Sequence, residues 1–144
     1  MDSQERAAKS AEALWAGDHA SKWIGIELGP VGEGAATMTL DVQRHHCNGH
    51  GICHGGVIFT LADSAFAFAC NSRNQVTVAQ HNAISFIAPG QAEDRLTAVA
   101  REVSLTGRSG IYDVRVTNQN NETIAEMRGL SRAIKGQLFC EDDA

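Results

Sequence analysis

Nowhere does this chain run apolar for the roughly 18 residues that a membrane-crossing helix requires, and no basic cluster at its start leads into an apolar signal segment. A soluble, cytoplasmic protein without a membrane partner is expected. Long basic runs are missing too: 12 Lys and Arg stand against 17 Asp and Glu, for a formal net charge of −5. That balance supplies no general field for nucleic acid, although a local basic patch can still hold phosphate groups. Short paired cysteine motifs are also absent. Cys47, Cys53, Cys70 and Cys140 are even in number but irregular in spacing, so reduced thiols are expected rather than a disulfide scaffold. No internal repeat or low-complexity segment divides the chain.

What remains is an ordinary amount of core-forming material. A length of 144 residues with a hydrophobic fraction of 43% suits one domain, taken here as 1–144. Ala8, Ala11, Leu14 and Trp15 give Glu5 to Ala16 one apolar face, so residues 1–22 read as an N-terminal helical extension ended near Gly17-Asp18. Trp23 to Leu28 reads as a short strand or turn, Gly29 to Gly34 as a hairpin turn, and Ala36 to Val42 as a strand. A long apolar helix follows His54. Beyond it, Gln75 to Phe86, Arg95 to Leu105, Gly110 to Thr117 and Thr123 to Ile134 carry strand patterns, with Gly107 to Gly110 as a turn between two of them. One long helix among antiparallel hairpins predicts an α+β fold in which a curved sheet wraps the helix. Residues 136–144, ending in Glu141-Asp142-Asp143-Ala144, read as a solvated tail.

Within the apolar helix stands an acid, Asp63. Burying an unpaired carboxylate costs several kcal/mol, so a half-buried one in such a setting is a candidate catalyst. Gly55 and Gly56 fall where the helix begins; backbone N–H groups there, at the positive helix end, can stabilise an oxygen that gains negative charge. Asp63 comes roughly 10 to 12 Å further along the helix, too far to share one carbonyl with Gly55 of the same chain. A two-fold partner would close that gap. Asn48 can donate through its amide to a substrate or simply close an Asx turn, and His54 can position the loop or cap the helix. His45, His46, Cys47, His50, Cys53 and His54 are the densest set of soft-metal ligands, yet their spacing lacks a second ligating half. The cluster therefore reads as an active-site loop, with no metal assigned. Phe59, Phe66 and Phe68 suit either an aromatic acyl pocket or the core, and His81 reads as a cross-strand packing residue.

The block from His54 to Ser72, with Asn48-Gly49-His50 before it and Ala88-Pro89-Gly90 after it, resembles the active-site helix of the hotdog-fold acyl-CoA thioesterases, in their phenylacetic-acid-degradation (PaaI) branch. The resemblance runs from about Trp23 to about Ile134. It implies a hotdog fold, a homotetramer built from two hotdog dimers, and active sites shared between subunits. It also implies hydrolysis of phenylacetyl-CoA or a hydroxyphenylacetyl-CoA, with no cofactor beyond the CoA of the substrate itself. Asp63 would be general base or nucleophile, Gly55 would polarise the carbonyl, and Asn48 and His54 would support them. Arg108, Arg128 and Arg132, with Gly56, would hold the CoA portion. Hydroxybenzoyl-CoA or broader acyl-CoA hydrolysis, and a noncatalytic acyl-CoA-binding regulator, stay open beside this reading.

Overall fold

In the computed structural model, which describes residues 1–141, two helices precede the sheet: α1 (Ser3–Ala16) and α2 (His19–Ile24). Asp2 and Asp18 cap them, each accepting a backbone N–H of the first turn through its side chain. Strands β1 (Glu27–Gly32) and β2 (Ala35–Asp41) come next, then a single 3-10 turn at Arg44–His46 and the long helix α3 (Gly55–Cys70). Four strands complete the chain: β3 (Thr77–Phe86), β4 (Arg95–Thr106), β5 (Ser109–Thr117) and β6 (Thr123–Ala133). All pairings are antiparallel in one six-stranded sheet of order β1-β2-β4-β5-β6-β3. The sheet packs one face on α3, which is the expected α+β hotdog architecture.

Alternation in the central strands explains that arrangement. Met38 and Leu40 of β2, Leu96 and Ala98 of β4, and Val114 and Val116 of β5 are buried, while their neighbours in sequence face outward. Against them α3 lays Ile58, Leu61, Ala62, Ala65, Phe66 and Ala69. Each large side chain buried in this way contributes about 1.5–3 kcal/mol. The alanines bring helix and sheet close, and the closest approach is at Gly129, where a Cβ would lie 2.7 Å from the Phe66 ring.

Three local expectations are corrected. The stretch before the sheet is partly helical, since α2 extends to Ile24, and the turn predicted over Gly29 to Gly34 is mostly strand. Pro30 is tolerated there because β1 is an edge strand, with a register shift between Leu28 and Val31. The chain reverses at Glu33-Gly34, where Gly34 takes φ +72°. The segment expected as a free tail is docked as far as Glu141. Asn74 Oδ1 accepts the N–H groups of Leu138 and Phe139 at 2.9 and 3.1 Å, and Arg6 grips Glu141 at 2.6 Å. The rest of that predicted tail, 142–144, lies outside the described residues.

Gly129→Ala is expected to destabilise the protein by about 1–3 kcal/mol, because a methyl group must displace the Phe66 ring in a filled core. Gly49→Ala, with open space around the added atom, should stay within about 0.5 kcal/mol of the parent. Urea denaturation midpoints of the two variants check the contrast.

Candidate active site

Helix α3 starts at Gly55 because His54 caps it. The His54 backbone is extended (φ −60°, ψ 134°), and its ring Nδ1 accepts the Gly56 N–H at 2.8 Å. Val57 and Ile58 both donate to the His54 carbonyl, at 2.9 and 3.2 Å. Those three bonds use up the other donors of the first turn. Gly55 N–H is left without a partner among the described residues, at the positive end of the helix. Of the two glycines expected to offer a donor, only Gly55 does so; the N–H of Gly56 is already spent on His54.

The ring of Phe86 lies across Gly55, so that a Cβ at this position would come within 3.1 Å of it. Beside them opens an apolar cavity of about 440 Å³ lined by Asn48, Ile52, Ile58, Phe86 and Ile87 together with Gly55. Asn48 Oδ1 accepts from His50 N–H at 2.9 Å and Ile52 N–H at 3.4 Å, forming the turn of the loop. Its amide nitrogen donates to no group among the described residues. Both roles anticipated for Asn48 are therefore open to the same side chain.

Asp63 lies further along α3, half-buried and without an ion pair among the described residues. Asn82 Nδ2 donates to its Oδ1 at 2.7 Å. Burial raises the Asp63 pKa above the usual aspartate range, and the Asn82 hydrogen bond partly opposes that rise. Asn82 Oδ1, in turn, is buried and unpartnered. This residue is absent from the sequence-derived site. The available signal was its phase: Asn82, Ile84 and Phe86 share one face of β3, so an amide sits in line with residues that cover the helix.

Spacing along the two elements sets the geometry of the site. From Gly55 to Asp63 the helix rises about 12 Å. From Phe86 to Asn82 the strand covers about 13 Å. Helix and strand thus run in step, with Gly55 beside Phe86 and Asp63 beside Asn82. Within one chain the donor and the carboxylate stand at opposite ends of this ladder, and one carbonyl carbon cannot reach both.

The remaining candidates fall elsewhere. Phe66 and Phe68 are core residues, packed edge-on against Tyr112 and Trp15 respectively, and Phe59 is half-buried against the same core. None of the three lines the cavity at Gly55. His81 is exposed rather than packed. Arg128 and Arg132 share the outer face of β6, as their spacing predicts, and Arg128 is engaged bidentately by Asp113 at 2.7 and 2.9 Å. That contact holds the Asp113 carboxyl below its usual range. Arg108 borders a different cavity, of about 530 Å³, with Gln75, Lys135 and Gly136. In the histidine-rich loop, His46 Nδ1 accepts from Gln43 N–H at 2.9 Å, which leaves Nε2 as the donor to Ile24 O at 2.6 Å. Both ring nitrogens are thereby committed to structure. Among the described residues no group of three His, Cys, Asp or Glu is arranged around a metal position, and no helix is long and apolar enough to cross a membrane.

A family model described as the thioesterase superfamily matches residues 50–125, which contain both Gly55 and Asp63. The acyl-coenzyme A thioesterase PaaI of Escherichia coli is 41% identical over 94% of this chain and 97% of its own length. Its solved structure superposes with a TM-score of 0.92, at 40% identity over 94% of this chain and 99% of that one. The phenylacetic acid degradation protein PaaI of Thermus thermophilus follows at TM-score 0.77 and 31% identity, over 80% of this chain and 98% of that one. A Streptococcus mutans protein solved with acetyl-CoA gives TM-score 0.75 at 25% identity, over 78% and 91% of the two chains. This chain belongs to the thioesterase superfamily, as a hotdog-fold enzyme closely related to PaaI.

Proposed function

We propose that the protein hydrolyses aromatic acyl-CoA thioesters, with phenylacetyl-CoA or a ring-hydroxylated phenylacetyl-CoA as substrate, releasing CoA and the free acid. The observation that carries this reading is the pairing of a half-buried carboxylate, Asp63, with an unsatisfied helix-end donor, Gly55 N–H, beside an apolar cavity. The aromatic preference is supported by the 41% identity to PaaI and by Phe86 in the cavity wall. The CoA portion is supported by the relative solved with acetyl-CoA.

In this mechanism the thioester carbonyl oxygen sits against Gly55 N–H, which stabilises the charge that develops as the carbonyl carbon is attacked. Asp63 either removes a proton from the attacking water or attacks the carbon itself, forming an acyl anhydride that water then opens. Asn82 holds one carboxylate oxygen and leaves the other for the reaction. His54 supports the site by capping the helix that presents Gly55, and Asn48 donates from the loop.

The distance between Gly55 and Asp63 supports a site shared between two subunits. Strand β3 is an edge of the sheet, and Val78, Phe86 and Ile87 on or beside it are exposed at 44%, 53% and 57%. An unpaired apolar edge of this kind favours addition of another strand. Antiparallel pairing of β3 with its copy, about a two-fold axis near Ile84, would bring Asn82 opposite Phe86 of the partner subunit. Asp63 of one protomer then faces the helix start of the other. Two such dimers would build the tetramer, with the exposed Val99, Val103 and Leu105 of β4 offering a further apolar surface.

Asp63→Asn and Gly55→Pro should each lower thioesterase activity by about 10²-fold or more while leaving the fold intact. Proline suits the backbone of the first helical position and removes its N–H, and its ring carbons require only a shift of the exposed Phe86 side chain. Mixing the two inactive variants with subunit exchange should restore a measurable fraction of activity, because each contributes the group that the other lacks. Exchange demonstrated by mass spectrometry without any recovery would place both groups in one chain.

A pH profile tests Asn82. In Asn82→Leu the burial of Asp63 is unopposed, its pKa rises further, and the acidic limb of kcat/KM moves to higher pH; Asn82→Ser, which keeps a donor, should move it back. An unshifted limb in a folded Asn82→Leu enzyme would remove Asn82 from the mechanism.

For the CoA phosphates, Arg108 and Arg132 are proposed as contacts at the open corner of the sheet, where Ala133 N–H bonds to Arg108 O. Arg108→Gln is expected to raise KM for acyl-CoA more than for a short acyl-pantetheine, which lacks the nucleotide phosphates, with kcat little changed. Arg128→Gln, already neutralised by Asp113, should have the smaller effect of the two. Steady-state kinetics on both substrates reads the difference.

A further inference from the structure

Cys47 and Cys53 face each other at the neck of the loop that carries Asn48, as an isolated antiparallel bridge. Two hydrogen bonds flank them: Asn48 N–H to Ile52 O and His54 N–H to His46 O, both at 2.8 Å. Because neighbouring residues make those bonds, the cysteines form a non-hydrogen-bonded pair, in which facing Cα atoms lie about 4.5 Å apart and side chains leave on the same side. A disulfide needs Cα atoms about 4.4–6.8 Å apart. Neither thiol is firmly held elsewhere. Cys47 Sγ makes only a 3.6 Å contact to Gln43 O, and Cys53 Sγ a 3.9 Å contact to His54 O. Both are free thiols, Cys47 half-buried and Cys53 buried.

We propose that Cys47 and Cys53 are a covalent modification site, closing to a reversible cross-strand disulfide by exchange with a low-molecular-weight disulfide of the glutathione type. Cys47, the more accessible, loses its proton and attacks one sulfur of the small disulfide, whose S–S bond breaks to expel one thiolate. Cys53 then loses its proton and attacks the Cys47 sulfur of the mixed disulfide, expelling the second thiolate. Two protein thiols are oxidised, one small disulfide is reduced, and the two protons end on the two small thiols released. Burial, with the neighbouring Cys47, pushes the Cys53 thiol up to about 11, so the second exchange is the slow one.

The bond would staple the two limbs of the loop directly before His54 and Gly55, and it fastens Asn48 against the start of α3. Its formation is independent of the substrate, so failure of the aromatic acyl-CoA reading would leave it standing. Cys70, buried at the end of α3, and Cys140, exposed on the C-terminal stretch, serve as internal controls.

The test incubates the full-length protein with glutathione disulfide, traps remaining thiols by alkylation, and maps peptides without reduction. Expected is a Cys47–Cys53 link that dithiothreitol reverses, that Cys47→Ser and Cys53→Ser abolish, and that Cys140→Ser retains. The link should form about tenfold more readily in the folded protein than in urea, since the bridge raises the effective concentration of one thiol at the other. The wild-type protein alone is decisive. Two free thiols after exposure, a glutathione adduct on Cys47 that goes no further, or equal linkage in folded and unfolded chains would each overturn the proposal.

Discussion

The hydrogen bond from Asn82 to Asp63 joins the central helix to the edge strand of the sheet, with a charged group on one side and an amide on the other in otherwise apolar faces. Almost everything at the site is arranged around it. Sheet and helix pack closely elsewhere through alanines and glycine, which fixes the rotation of α3 and so the depth of the carboxylate. Asp63 is thus too deep to be an ordinary surface aspartate and too exposed to be sealed. One donor partly offsets the cost of its burial, and no cation among the described residues neutralises it. A carboxylate kept in that state retains the basicity that full solvation or an ion pair would remove.

The same packing explains why the helix start is available. His54 turns its ring and its carbonyl back onto the first turn, consuming every donor there except one. An N–H left open at a helix end in a partly apolar setting is poorly solvated by protein and well disposed toward a polar oxygen. Phe86 closes over the same glycine, so any side chain at this position would meet the ring. The contact with Phe86 asks for glycine at this position, whereas the chemistry asks only for the open N–H.

Much of this could be read from the sequence because it rests on periodicity. The strands around the core alternate cleanly, α3 is apolar for several turns, and Asp63 is conspicuous inside it. What escaped depends on tertiary contacts. Helix α2 is too short to display a period, and β1 reads as a turn because Gly29-Pro30 suits an edge strand as well as a reversal. Asn82 shares its face of β3 with Ile84 and Phe86, but a polar residue in that phase gives no sign of which group on α3 it will meet. The pairing of Arg128 with Asp113 joins adjacent strands across fifteen positions of sequence, and the capture of the C-terminal stretch by Asn74 spans more than sixty. Neither leaves a local pattern.

That capture has a consequence for the chain as a whole. Arg6 on the first helix and Glu141, the last described residue, are 135 positions apart yet form a short ion pair, so the described chain closes on itself almost as a ring. Helix α1 and the stretch as far as Glu141 share one corner of the fold, so that disturbing either disturbs the other. A chain joined across Arg6 and Glu141 and opened elsewhere would keep the strand order of the sheet intact. The corner brings α1, packed over β1, to the point where the chain enters β3, since Asn74 Nδ2 also donates to Glu141 at 3.2 Å.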